Sequence, residues 1–324
     1  MRADRGEYPF PIPSGWFRVG FREELEPGRI DPLRLFGEEL VRVVDAEGGV
    51  ALFGAHCPHL GAHLGYGGRV EGRSIRCPFH AWRFDMQGEC VEVPYSKKIP
   101  PKARLQRYPT EVRNGIVWAW YHPQQAAPTW EAPTIPELEQ PGWSPPTHHA
   151  WTIRTRNQEI AENTADPAHF RAVHGFGEAP DPQIEFEAHT YQSVTLSRAR
   201  RSDGSSTESR LEVTWHGLGL GVVRSTGDFE LLVVGTNTPI DERAVDARFS
   251  FSVNTERGLR PDSGAGKAFI GEAIRQMEQD IPIWENKVFA PRPVLCEGDG
   301  PIGRFRAWAK QFYGDDDARV AAAR

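Results

Sequence analysis

Two short stretches constrain this chain more than anything else in it: Cys57-Pro58-His59 and, after seventeen further residues, Cys77-Pro78-Phe79-His80. Each places one thiol and one imidazole on a turn that a proline stiffens by fixing its φ. Two such turns facing each other offer two sulfur and two nitrogen donors to a shared centre. Gly61, Gly65, Gly67 and Gly68 allow the first turn to double back over that centre. The flanking chain suits such a frame. From 14 to 122, β-rich runs at 41–44, 50–53, 74–77 and 116–120 alternate with Gly and Pro, the pattern of a small all-β unit.

The spacing of the donors narrows what they hold. Structural zinc sites pair like with like, as C-x₂₋₄-C and H-x₃₋₅-H. Here Cys and His interleave as C-x-H and C-x₂-H. That suits a [2Fe–2S] core in which one iron takes both sulfurs and the other both nitrogens. Replacing two anionic thiolates by neutral imidazoles lifts such a cluster from roughly −400 mV to about −150 mV or above. His56 and His63 fall outside the pattern and read as packing or surface histidines. Cys90 and Cys296 have no metal-binding neighbours and read as buried thiols.

With 4 cysteines in 324 residues there is no disulfide scaffold, and the cytoplasm is the expected compartment. The N-terminus, MRADRGEYPFPIPSGWF, has no apolar segment of the secretory kind, and no run nears the roughly 18 apolar residues of a membrane span. A net charge of −6 speaks against nucleic acid as a partner.

The length suggests two domains. Residues 123–146 are dense in proline, which places the boundary there and divides the chain into 1–124 and 125–324. Beyond it, strand-like runs at 184–187, 191–196, 211–215, 229–234 and 247–253 precede a helix over 269–288. Ile270, Ala273, Ile274, Met277, Ile281, Trp284 and Val288 form one apolar stripe on it. An antiparallel sheet wrapped on a long C-terminal helix makes this domain, and the fold as a whole, α+β. His216-Gly-Leu-Gly-Leu-Gly221, between two of the runs, is either a hairpin turn or room for a large ligand.

Asp166, His169 and His174 stand in a helix-like segment at 157–174. Two imidazoles and a carboxylate on one face of a metal leave positions open for O₂ and substrate, the usual non-haem Fe(II) oxygenase site. A spacing of five sets the two histidines about 140° apart on an ideal helix, so the helix must end or deform there. Asp166, just before Pro167, also fits a cap or turn. The remaining carboxylate comes from the long helix, where Glu278 and Asp280 flank the apolar stripe on opposite sides. Periodicity does not choose between them. Pro282 should kink the helix nearby.

The run CPHLGAHLGYGGRVEGRSIRCPFHAWRFDMQGECVEVPY resembles the Rieske domain of ring-hydroxylating oxygenases. The D-x₂-H-x₄-H from Asp166 to His174 is similar to the iron motif of their catalytic domains. VPYSKKIPPKARLQRYPTEVRNGIVWAW, DPAHFRAVHGF and the tail VLCEGDGPIGRFRAWAKQFY resemble the oxygenase subunits of bacterial 3-ketosteroid 9α-hydroxylases, with cholesterol 7-desaturases in the same branch. The resemblance implies that Cys57, His59, Cys77 and His80 ligate a [2Fe–2S] cluster and that His169 and His174 bind a mononuclear Fe(II). It implies that Asp280, four residues before Trp284, is the third ligand, and that Trp82 packs beside the second cluster loop. It further implies a head-to-tail homotrimer in which Asp166 bridges His169 to His80 of the partner subunit.

The activity implied is that of a terminal oxygenase. It uses O₂ and electrons from NADH, delivered by a separate flavin and iron–sulfur reductase, to hydroxylate or desaturate a steroid- or sterol-like substrate. No G-x-G-x-x-G follows a strand here, so the reductase is another chain. Two other classes share parts of the pattern. One is a Rieske O- or N-demethylase or small-aromatic hydroxylase. The other is an electron carrier or lipid-binding protein without the mononuclear iron.

Overall fold

The computed structural model describes residues 10–175, 181–200 and 206–314. Residues 1–9, and Phe176 at the end of the DPAHFRAVHGF run, lie outside the described residues. The chain divides into two units, one made of 16–134 with 238–241, the other of the remainder.

The first unit is all β, built from three small sheets. Glu38–Val44 shows why these residues form strands. Leu40, Val41, Val43 and Val44 are wholly buried, a run apolar on both faces that suits a strand covered on both sides. The hairpin from it to Val50–Gly54 turns on Asp45, whose Oδ1 accepts the N–H groups of Glu47 and Gly49 at 2.9 and 2.7 Å. The first cluster loop follows Val50–Gly54. The second is the tip between Ser74–Arg76 and Arg83–Asp85. Val41, Phe53, Leu64, Ile75 and Phe84 share one core with Cys57 and Cys77, so both cysteines are seated in packed apolar surroundings.

The second unit carries a seven-stranded sheet in the order Thr147–Ile153, Ala244–Val253, Leu231–Asp241, Leu220–Thr226, Ser206–His216, Thr190–Arg200, Gln183–Glu187. Two of these strands, Thr147–Ile153 and Leu220–Thr226, were not among the strand-like runs. The run His216–Gly221 is the hairpin turn, with Gly217 at φ +56 and Leu218 and Leu220 fully buried. A Cβ on Gly221 would meet the Trp215 indole at 3.1 Å, so the space beside that glycine is filled by Trp215.

The long helix runs Gly264–Asn286. It begins earlier than the periodicity suggested because Ser263 Oγ accepts the Gly266 N–H at 3.0 Å and caps it. It ends before Val288, which is exposed and takes no part in the stripe. The helix continues through Pro282. Ile270, Ala273 and Ile274 pack on Leu231, Val233, Phe251 and Val253 of the sheet.

His216 sets an acid limit on this unit. Its ring lies 6.0 Å from that of His189, and burial, then the charges of His189 and Arg224, push its pKa down to about 4. A free histidine titrates near 6.5. Between those values the unfolded chain takes up a proton that the folded one refuses. Stability is therefore intact above pH 6.5 and declines toward pH 4, by roughly 3 kcal/mol for this group. His216→Gln should flatten that part of the stability–pH curve. An unchanged acid limb in the variant would assign the loss to other groups.

Candidate metal centres

The two cluster loops are built alike. Cys57 N–H donates to the Ala62 carbonyl at 2.9 Å, and Cys77 N–H to that of Trp82 at 2.8 Å. The cysteine carbonyls in turn accept from Gly61 and Ala81, at 2.9 and 3.2 Å. Those return residues share the left-handed region, Gly61 at φ +74 and Ala81 at φ +58. Glycine does this freely, whereas an alanine there costs about 1–2 kcal/mol.

The donors collect in two pairs. The Cys57 and Cys77 thiols lie against each other in the core, and burial, reinforced by Cys77, pushes Cys57 up to about 12. The imidazoles of His59 and His80 are 4.6 Å apart at 73°. His80 Nδ1 is buried with no hydrogen-bond partner in the protein. A buried ring nitrogen left so costs free energy unless something binds it. A cationic centre would satisfy that nitrogen and deprotonate the thiols. The residues therefore fit an iron–sulfur core.

Trp82 does more than line the second loop. Its indole crosses to the first loop and stacks on His59 at 4.5 Å and 9°, and its Nε1–H donates to Tyr95 Oη at 2.7 Å. His63 Nδ1 accepts the Gly65 N–H at 3.0 Å and His56 lies 3.4 Å from Glu39, so both serve local structure. Cys90 is buried, but Cys296 is exposed. It sits in a surface loop, Cys296–Gly300, where its N–H bonds Asp299 at 2.7 Å. The expectation of a buried Cys296 was wrong.

In the second unit the donor atoms of His169, His174 and Asp280 all lie within 4.8 Å of one another. Among the described residues, no other three His, Cys, Asp or Glu donors gather so tightly. The helix Ala168–Ala172 ends before His174, which releases the two histidines from the 140° of an ideal helix and lets both rings face one point.

Each ring is oriented from behind. His169 Nδ1–H donates to the Asp166 carbonyl. His174 Nδ1–H donates to Gln279 Oε1 at 3.1 Å. A proton on each Nδ1 leaves each Nε2 lone pair for a metal. Asp280 Oδ2 is 3.5 Å from His174 Nε2. Asp280 is 7 % exposed and lies on the buried face with Met277 and Trp284, while Glu278 points outward. Burial raises the Asp280 pKa, and the imidazoles of His174 and His169 partly offset it. A divalent cation at this point would compensate the buried carboxylate, and two imidazoles with one carboxylate are the ligand set of non-haem Fe(II).

Two residues with roles here lie in the helical segments read from the sequence, 157–174 and 269–288, where neither was given one. Gln279 orients His174. Asn163 Oδ1 accepts the Trp284 Nε1–H at 3.1 Å, and the same side chain hydrogen-bonds Asp280. Adjacency to Asp280 is the only sequence signal for Gln279, and Asn163 has none. Asp166 does not offer its side chain to His169 within the chain. Its carbonyl does that, while its Oδ1 accepts the Ala168 N–H at 3.2 Å, the turn role.

Residues 15–109 match the Rieske [2Fe-2S] domain, and residues 119–313 match the 3-Ketosteroid 9alpha-hydroxylase C-terminal domain. The second match alone spans more than half of the chain. The chain is a Rieske oxygenase. This Rieske oxygenase is 31% identical over 337 residues to a probable 3-ketosteroid-9-alpha-monooxygenase, oxygenase component, of Rhodococcus rhodochrous, covering 96% of this chain and 82% of that protein. It is 30% identical over 350 residues to a cholesterol 7-desaturase of Caenorhabditis elegans, covering 97% and 80%. In fold it is similar to NdmB of Pseudomonas putida CBB5, with a TM-score of 0.73 at 19% identity over 91% of this chain and 89% of that one. As a Rieske oxygenase it works with a [2Fe–2S] cluster, a mononuclear iron, O₂ and electrons from a nicotinamide. No described helix is long and apolar enough to cross a membrane.

Proposed function

We propose that this Rieske oxygenase hydroxylates or desaturates a steroid or sterol, as the oxygenase component of a system whose flavin and iron–sulfur reductase is a separate chain. The observation that carries this reading is the match of 119–313 to the catalytic domain of 3-ketosteroid hydroxylases, enclosing the His169–His174–Asp280 triad. Relatives named for 3-ketosteroids and for cholesterol support the substrate class. We assign 1–124 to electron transfer and 125–324 to catalysis, in the cytoplasm.

Cys57, His59, Cys77 and His80 hold the cluster, and His169, His174 and Asp280 hold the iron. When bound, these groups supply single electrons and the reductive activation of O₂. The chain does the rest. Gln279 and the Asp166 carbonyl keep the protons on Nδ1 of the two histidines. Asn163 and Trp284 hold the third donor side in place. One Asp166 oxygen fixes the turn at Ala168, and we assign the other to His80 of the partner subunit in a trimer.

The test is a turnover screen with a surrogate reductase, read by product mass. A 3-ketosteroid or sterol should gain one oxygen or lose two hydrogens. Turnover of methoxy-aromatics with no steroid product would replace this reading by the demethylase one.

A further inference from the structure

We infer that Gly300 is a positioning residue for the mononuclear metal, through a backbone contact that no side chain would permit. This rests on the metal-binding role proposed for His169, His174 and Asp280. A Cβ built on Gly300 would lie 1.9 Å from the Ala165 carbonyl oxygen and 2.6 Å from Pro167 Cδ. The first of these atoms is backbone, so rotating a side chain cannot relieve the clash. Gly300 is not in the left-handed region, so conformational freedom does not explain a glycine there. Close approach does.

What it approaches is the turn that orients His169. Ala165 and Pro167 flank Asp166, whose carbonyl takes the His169 Nδ1 proton. Gly300 is itself held in place. Its carbonyl accepts the Ile302 N–H at 2.7 Å at the start of the helix Ile302–Ala309. Ile302, Phe305 and Trp308 of that helix are buried, and Arg306 bonds Glu162 at 2.7 and 2.9 Å. On the other side Asp299 Oδ2 accepts the Cys296 N–H at 2.7 Å. The tail segment is thus a fixed backing for residues 165–167. Adding a methyl group at 300 must push the turn away and carry the Asp166 carbonyl off His169 Nδ1. The ring then loses both its direction and the bond that reserves Nε2 for the metal. Outer contacts of this kind are worth roughly 10–100-fold in metal affinity.

Gly298, two residues earlier, supplies the control. A Cβ there meets nothing within 4 Å, and its φ is also outside the left-handed region. The experiment is a cobalt(II) titration of cluster-loaded protein freed of its mononuclear metal, followed by ligand-field absorption. Melting temperature and the reduced-cluster resonance are recorded alongside. Gly300→Ala should weaken cobalt binding by ten-fold or more and alter its ligand-field bands, with the cluster resonance unchanged. Gly298→Ala should match the wild type in all three. Wild-type affinity and bands in Gly300→Ala would overturn the inference. If Gly300→Ala does not fold, Asp299→Ala decides on the same readout. It loosens the loop without a clash and should weaken cobalt several-fold, and wild-type binding there overturns the inference equally. A wild-type protein whose cobalt uptake is indifferent to His169→Ala would instead sink the metal-site reading beneath it.

Discussion

His174→Ala abolishes turnover and removes one equivalent of iron per chain, while the visible and reduced-cluster spectra stay as they were. The size of the effect follows from how the ring is held. Its side chain is 2% exposed, with Gln279 on one nitrogen and Asp280 facing the other. Removing it takes one of three donors. It also takes away the imidazole that most lowers the Asp280 pKa, leaving a buried carboxyl whose burial already favours the proton. A second donor is therefore weakened by the loss of the first. The cluster ligands stand on other loops, in the other unit, and share no partner with His174. Cys77→Ser should do the reverse, bleaching the cluster and sparing the metal at the triad. Metal analysis with reduced-state resonance checks both. Loss of both centres in His174→Ala would make that histidine structural.

What could be read from the sequence was what lies close together along it. Cys57, His59, Cys77 and His80 declare themselves because each pair sits on one turn, and His169 and His174 because they share a short segment. The buried strands of the first unit were legible from short, largely apolar runs, of which 116–120 is unbroken and wholly buried. Leu220–Thr226 escaped because a glycine-rich turn precedes it and its apolar run is only four residues long. Thr147–Ile153 escaped because histidines and a preceding proline pair mask its alternation. The choice between Asp280 and Glu278 was invisible to periodicity, since both flank the stripe. It is made by which flank the histidine segment covers, a contact between residues more than a hundred positions apart. The roles of Gln279 and Asn163, and the exposure of Cys296, are tertiary facts of the same kind.

Arg306→Met should be strongly destabilising although it touches neither metal centre. Helix Asn157–Glu162 is buried along its whole length and carries two acids, Glu159 and Glu162. Arg306 bonds Glu162 through Nε and Nη2, and its Nη1 donates to the Ala290 carbonyl at 2.6 Å. Lys287 Nζ pairs with Glu159 but stands 3.9 Å from Glu162. Without Arg306 a buried carboxylate keeps only that distant cation, a loss of about 3–5 kcal/mol. In a unit of this size that lowers its melting temperature by on the order of 10 °C. The pH dependence identifies the cause. Burial, opposed by the pull of Lys287, holds the Glu159 pKa above its usual 4.5, and Arg306 is among the charges that hold it down, so the variant raises it further. An acid raised in this way favours the folded state when protonated, below its unfolded pKa, and that advantage is lost as pH rises through the folded value. The deficit of Arg306→Met should accordingly shrink in acid and be largest at neutral pH. Adding Glu162→Gln should recover most of it. A deficit that is independent of pH and unmoved by Glu162→Gln would point to lost packing by the arginine stem instead.

The 23-residue helix Gly264–Asn286 presents Gln279 and Asp280 side by side to one imidazole. That makes the helix a ruler whose zero is the Ser263 cap. One residue inserted between Ser263 and Gln279 would turn everything beyond it by about 100°. The proton holder and the metal donor would leave His174 in the same stroke. The hairpin turns of the sheet face no such penalty, because a longer loop leaves the strand registers on either side intact. Length variation among enzymes built on this plan should therefore collect at the strand connections, and the interval from the cap to Asp280 should stay fixed.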